Sequence, residues 1–472
     1  MAKKKKSTEF NRILLYGVII IALIIVGYYG FKSVSGSSAA NLLNLGGGLP
    51  GNVTNVDITP QSGDVTATLA ADSPAAYIVL GNHQYYDAAK YKFSATGSGF
   101  TVQKIAIVIP THGWASVDTL KIEYPLKTGQ IVSKEISVSA EKSKFEGLAM
   151  YVPKNGSAVM NLKATFKKVG TIGEGGEFRA HIKFGLASGV TAGDFLATSD
   201  GGGVIDTKAA TQNIFSAEHV LYNSTPIVTA SNPSGSGTIV PGGIINLYKF
   251  KVSADTAGEI AIKKFTFSIF ITDASTTTPS GADLTNFTFL RGGTDITASA
   301  QITMVSNNGS TYITTPLTLE DTNYLENNTS YLVQVTFANT PATDANGEQS
   351  IGAGQTVEYT LRAQCGTGFT TTDAISTALL SDQAVDPGIG YPGGYVYLTD
   401  LDSDVGKQQI IGLQKANGTQ FSGSTNFVWS DKSVLIHLPT FDDDGVIETS
   451  SADWTQGYLV KNFPLSVYGY TL

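Results

Sequence analysis

Apolar and polar side chains alternate with a period of two over most of the chain beyond residue 45, and no helical period is sustained there. Leu162, Ala164 and Phe166 alternate with Lys163, Thr165 and Lys167. Phe178, Ala180, Ile182 and Phe184 do so with Arg179, His181 and Lys183, and Val357, Tyr359, Leu361 and Ala363 with Glu358, Thr360, Arg362 and Gln364. A strand turns successive side chains to opposite faces, so the pattern predicts antiparallel sheets with one face on a core and the other in water. By the same rule His181 belongs to a solvent face. Pro241-Gly242-Gly243, Asn155-Gly156, Asn308-Gly309, Asn346-Gly347 and Asn417-Gly418 supply turns between the runs. Many short strands at this spacing predict β-sandwiches, and the length asks for more than one.

An internal repeat divides them. Asp72-Ser73-Pro74, Tyr91-Lys92-Phe93-Ser94-Ala95 and Val102-Gln103-Lys104-Ile105-Ala106-Ile107 return as Asn232-Pro233-Ser234, Phe250-Lys251-Val252-Ser253-Ala254 and Ile262-Lys263-Lys264-Phe265-Thr266-Phe267. Later, Ile172-Gly173-Glu174-Gly175 before Phe178 matches Ile351-Gly352-Ala353-Gly354 before Val357. The offset grows from about 160 to 179, which places an insertion of about twenty residues in the second copy. The expected organisation is a basic segment at 1–12, an apolar segment at 13–31, a linker at 32–53, one sandwich at 54–218, a second at 219–390 and an aromatic-rich β region at 391–472. Leu221-Tyr222-Asn223-Ser224-Thr225-Pro226 is too short and too apolar for a free linker, so the modules are expected end to end with little hinge motion.

Ile13–Phe31 is an uncharged apolar run preceded by Lys3–Lys6 and Arg12. As a helix it would extend about 28 Å, a bilayer's hydrocarbon thickness, and the positive-inside rule would export everything after Lys32. The sequence therefore predicts a transmembrane helix or signal-anchor and a cell-surface, extracytoplasmic chain; the alternative is a signal peptide cleaved near Ser37-Ser38-Ala39-Ala40. The first 32 residues hold six of the 31 Lys and Arg and one of the 39 Asp and Glu, leaving 25 basic against 38 acidic residues, a net of −13. So acidic a remainder excludes nucleic acid as a partner. The single cysteine, Cys365, forms no intrachain disulfide, is expected to be a small buried residue, and leaves stability to packed cores.

Asp72-Ser73-Pro74, Ala353–Ala363, Asp373–Leu380, Phe427-Val428-Trp429-Ser430-Asp431 and Asp453–Lys461 resemble the multi-module, surface-layer-like proteins of ultrasmall candidate-phyla-radiation bacteria. The resemblance implies immunoglobulin-like sandwiches at the cell surface, an array-forming role and no catalytic residues. With the N-terminal run, the expected fold class is all-β: tandem immunoglobulin-like β-sandwiches after a transmembrane helix. The aromatics of the tail, among them Trp429 and Trp454, are expected in a core, and Val467–Leu472 reads as a strand that closes its own sheet or joins a neighbour's edge.

No nucleophile elbow occurs, and none of the five histidines (His83, His112, His181, His219, His437) has a partner at metal-ligand spacing. Asp400, Asp402 and Asp404 stand at alternate positions before Gly406, close to a calcium loop, and Asp442, Asp443 and Asp444 form a second acidic turn. A solvated turn is the plainer reading of either cluster; the alternative is a metal site, with calcium as its cation. The leading reading is a non-enzymatic structural protein that self-associates into a surface coat, held to the membrane by its N-terminal helix. The alternative is an adhesin or carbohydrate-binding protein that contacts a glycan or host surface, which would show a solvent-facing aromatic cluster around a residue such as Trp114.

Overall fold

The computed structural model describes residues 63–169, 180–187, 193–205, 213–232, 237–274, 281–306, 330–337, 348–382, 397–398, 426–433 and 454–472. These residues are all β, apart from two single 3-10 turns at Gly113–Ser116 and Thr297–Ser299. The fold class is corrected at one point. Among the described residues no helix is long and apolar enough to cross a membrane, so the fold is not a sandwich pair with a transmembrane helix as an observed element. The run at 13–31 lies outside the described residues. Its length and hydropathy state a capacity to span and nothing more.

The first sandwich stacks a five-stranded antiparallel sheet, in the order Asp64–Leu69, Tyr86–Thr96, Ser157–Phe166, Val117–Pro125 and Ile131–Ser137, on a sheet centred on Phe100–Val108. Lys142–Val152 flanks that central strand on one side; Gly185–Leu186 and Phe195–Ser199 share the other. Tyr91, Phe93, Phe100, Ile105, Phe145 and Met160, drawn from both sheets, fill one core. Tyr86–Thr96 buries every second side chain from Tyr91 onward, as its alternation requires.

The second sandwich repeats this plan. Pro226–Ala230, Ile244–Ala254, Thr356–Cys365, Leu284–Arg291 and Thr294–Asp295 form the five-stranded sheet. Ile260–Thr272 is the centre of the other, flanked by Ser330–Thr336 on one side and by Ala374–Leu379 and Phe427–Ser430 on the other. Phe250, Phe265, Phe267, Phe289 and Tyr359 interlock in its core, with Phe250 and Phe265 meeting edge-on at 4.9 Å.

Strand pairing revises the repeat alignment in its later half. Tyr91 opposes Met160 where Phe250 opposes Tyr359, so the partner of Thr356–Cys365 is Ser157–Phe166, an offset of 199. The second copy therefore carries about forty additional residues, including Gln301–Ser306, a strand that pairs with Ser330–Thr336. A glycine turn leading into an alternating strand looks alike wherever it occurs, and only the hydrogen-bonded partner separates one such strand from another.

The tail completes the second copy. Phe427–Ser430 takes the place of Phe195–Ser199, Trp454–Gln456 that of Val204–Ile205, and Tyr468–Thr471 pairs with Ala374–Leu379 and with Gly237–Thr238, closing its own sheet. Phe427, Trp429, Trp454, Tyr468 and Tyr470 are buried; alternation holds in Tyr468–Thr471, whereas Phe427–Ser430 and Trp454–Gln456 are buried at every position.

Candidate functional site: the joint between the sandwiches

A three-stranded sheet links the modules. His219–Tyr222 lies at its centre, parallel to Ile78–Leu80 and antiparallel to His181–Ile182. Val220, Tyr222, Ile78 and Leu80 belong to the second core, whereas Leu221, Val79 and Ile182 belong to the first. Each sandwich is thus packed on one face of the same small sheet. Burying a large apolar side chain contributes about 1.5–3 kcal/mol, so this sheet alone ties the modules firmly.

Several polar groups of the joint are paired across it, although the buried Nδ1 of His219 has no hydrogen-bond partner among the described residues. His219 is fully buried, with Nε2 2.9 Å from the Ala88 carbonyl oxygen and its ring edge-on to Tyr77 at 4.6 Å. Burial pushes its pKa down. His181 Nδ1 lies 2.6 Å from Glu218 Oε1, and Lys183 Nζ 3.2 Å from Oε2. Burial pushes Glu218 up, but the hydrogen bonds and charges of His181 and Lys183 outweigh it and hold the carboxyl below its usual range. His181 is therefore buried, not solvent-facing as alternation predicts, because this sheet is covered on both sides.

On the second module, Asp431 Oδ2 accepts the Asn223 N–H at 2.6 Å and Oδ1 the Ser433 N–H at 3.0 Å. Ser224 Oγ donates to the Gly258 carbonyl at 2.7 Å. The Tyr222 ring sits 4.9 Å from Trp429, whose indole N–H donates to the Gln456 carbonyl at 3.0 Å. The Asn223 N–H and the Ser224 hydroxyl are thus satisfied by the module that follows.

Behind the second core, Lys264 and Asp382 form a buried polar centre. Asp382 accepts N–H groups from Asn426 at 2.6 Å, Phe427 at 3.1 Å and Gly457 at 2.7 Å, gathering two tail segments on one carboxylate. Burial pushes its pKa up to about 6 and that of Lys264 down to about 7.

The predicted metal ligands Asp400, Asp402, Asp404, Asp442, Asp443 and Asp444 lie outside the described residues. Among the described residues, no group of three or more His, Cys, Asp or Glu side chains is placed to hold a metal ion. Trp114 is half-buried against the first core, and Cys365 is buried. The sequence placed Tyr222 in the join but assigned no role to His219 or Asp431. The signal for the joint lay in Ile78-Val79-Leu80 and Val220-Leu221-Tyr222, short unbroken apolar runs that mark a strand covered on both faces.

No family model matches the chain, and no curated protein matches it in sequence. Among solved structures, the C-terminal domain of the antigen I/II polypeptide BspA of Streptococcus agalactiae is 11% identical over 67% of this chain and 95% of its own, with a TM-score of 0.17. The C-terminal domain of the antigen I/II-family protein AspA of Streptococcus pyogenes is 12% identical over 67% of this chain and 94% of its own, with a TM-score of 0.18. CfaE, the adhesive subunit of a fimbria of enterotoxigenic Escherichia coli, is 11% identical over 68% of this chain and 83% of its own, with a TM-score of 0.12. At these TM-scores the likenesses carry no functional argument.

Proposed function

We propose that the chain is a non-enzymatic structural protein of the cell surface, its two sandwiches acting as one stiff subunit of a self-associating coat. The joint carries this reading. A module pair built to bind a ligand by closure needs a hinge, whereas here the connecting strand is buried on both faces and the Asn223 N–H beyond it is held by Asp431. The buried Trp429 and Trp454 favour packing over sugar stacking. Electron microscopy of isolated envelopes tests it: a periodic coat containing this protein is the expected result, and an envelope bearing it as scattered single copies would defeat the reading.

A further inference from the structure

The duplication gives each sandwich two corresponding poles, and the joint shows what one pole does to the next. Pairing of Ile78 with Val220 corresponds to pairing of Thr238 with Thr471, because Ala374 opposes Thr471 as His181 opposes Val220. Leu80 and Leu221, buried in the joint at 3% and 0% exposure, thus correspond to Val240 and Leu472. Those two are 51% and 41% exposed, and Ile244, directly after the turn at Val240–Gly243, is 61% exposed. Of these, Leu80 packs in the second core whereas Leu221 packs in the first, so the far pole of the second sandwich presents open, at Val240, an apolar position that the first sandwich buries against its neighbour, with Ile244 and Leu472 exposed beside it.

The opposite pole of the tandem is also apolar. Ile131 and Val204 are 62% and 64% exposed. They begin the strands that follow the turns at 126–130 and 199–203, and Lys127 Nζ to Asp200 Oδ1, 2.9 Å, ties those two turns together. Half of the ten large exposed hydrophobic side chains among the described residues thus lie at the two outer ends. Single exposed apolar residues need no explanation, but their collection at both ends does.

We propose that copies of this chain join head to tail, Val240, Ile244 and Leu472 of one seating on Ile131 and Val204 of the next, as an intermolecular counterpart of the joint. This rests on the self-association reading above and adds its contact. Unlike surfaces at opposite poles meet, so the contact is heterologous, and an open string of subunits is the expected product.

The test uses the purified full chain, followed by sedimentation and negative-stain electron microscopy. The wild type is expected to form linear strings that lengthen with concentration. Val240→Asp with Ile244→Asp, or Ile131→Asp with Val204→Asp, should each give monomers of unchanged circular dichroism, since all four positions are exposed. Mixing the two variants should restore dimers and nothing larger. Strings or sheets that persist in both variants would overturn the head-to-tail contact while leaving the coat reading intact. Failure of the mixture to form dimers would overturn it likewise. A wild type that stays monomeric at every concentration would remove both.

Discussion

Asn223 and Asp431 are 208 residues apart in sequence, yet the backbone N–H of the first donates to the carboxylate of the second at 2.6 Å. The bond fixes the chain at the point where it leaves the first sandwich. Asp431 stands in the segment Phe427–Asp431, so a residue of the tail governs a connection made near the middle of the chain.

Asp431→Ala should leave the Asn223 and Ser433 N–H groups without that acceptor. Buried unsatisfied donors cost about 1–3 kcal/mol each, so the thermal midpoint should fall by several degrees. Small-angle scattering should report a wider spread of inter-module angles. An unchanged midpoint and scattering profile would show that the joint does not depend on this carboxylate.

Trp429→Ala removes the largest fully buried side chain, which touches Tyr222 and caps the Gln456 carbonyl. A loss of about 3–5 kcal/mol is expected by urea unfolding. Trp429→Phe should recover most of the packing but not the hydrogen bond, leaving a deficit of about 1 kcal/mol.

Acid should loosen the joint. His219 has its pKa lowered by burial, so the unfolded chain binds the proton more readily. Its contribution is present above the unfolded value of about 6.5 and is lost as pH falls below it. Glu218, also held low, loses its contribution further into acid. His219→Gln should flatten the pH dependence of the thermal midpoint just below pH 6.5; an equally steep slope in the variant would place the effect elsewhere.

The Lys264 and Asp382 pair makes an opposite demand. The lysine's lowered pKa, about 7, destabilises the fold progressively as pH falls from about 10.5 towards 7. The aspartate's raised pKa, about 6, destabilises it as pH rises from about 4 to 6. Asp382→Ala should lower the midpoint near pH 6.5, and Asp382→Leu combined with Lys264→Met should lower it too, because each strips Asn426, Phe427 and Gly457 of their acceptor.

Cys365 is buried in the strand Thr356–Cys365, and burial pushes its thiol up to about 11. A thiol reagent at pH 8 should label the native protein slowly and the urea-unfolded protein at once. Rapid native labelling would contradict the burial.

Where one face meets a core and the other meets water, the strands were readable. Tyr91, Phe93 and Ala95 fall inside as their alternation requires, and the first half of the repeat places Phe250 and Val252 correctly. His181 was misplaced because its sheet has no wet face. The later repeat was misaligned because Val357 and Phe178 both follow glycine-rich stretches of sequence, and period two alone does not record which strand a residue pairs with. The tail read as a region of its own because nothing in Phe427–Asp431 announces its likeness to Phe195–Asp200 beyond a shared Phe and Ser-Asp. Of the joint, only its shortness and apolarity were legible; Asp431 joins it through a contact more than two hundred residues long.

The parallel pairing of Val220–Tyr222 with Ile78–Leu80 also has a mechanical meaning. Tension pulling the second sandwich away along the departing strand loads those ladder bonds in shear, so that several must rupture together instead of opening one at a time. A protein so joined would bear turgor or drag along its length while yielding more easily to forces that peel its sheets from the side.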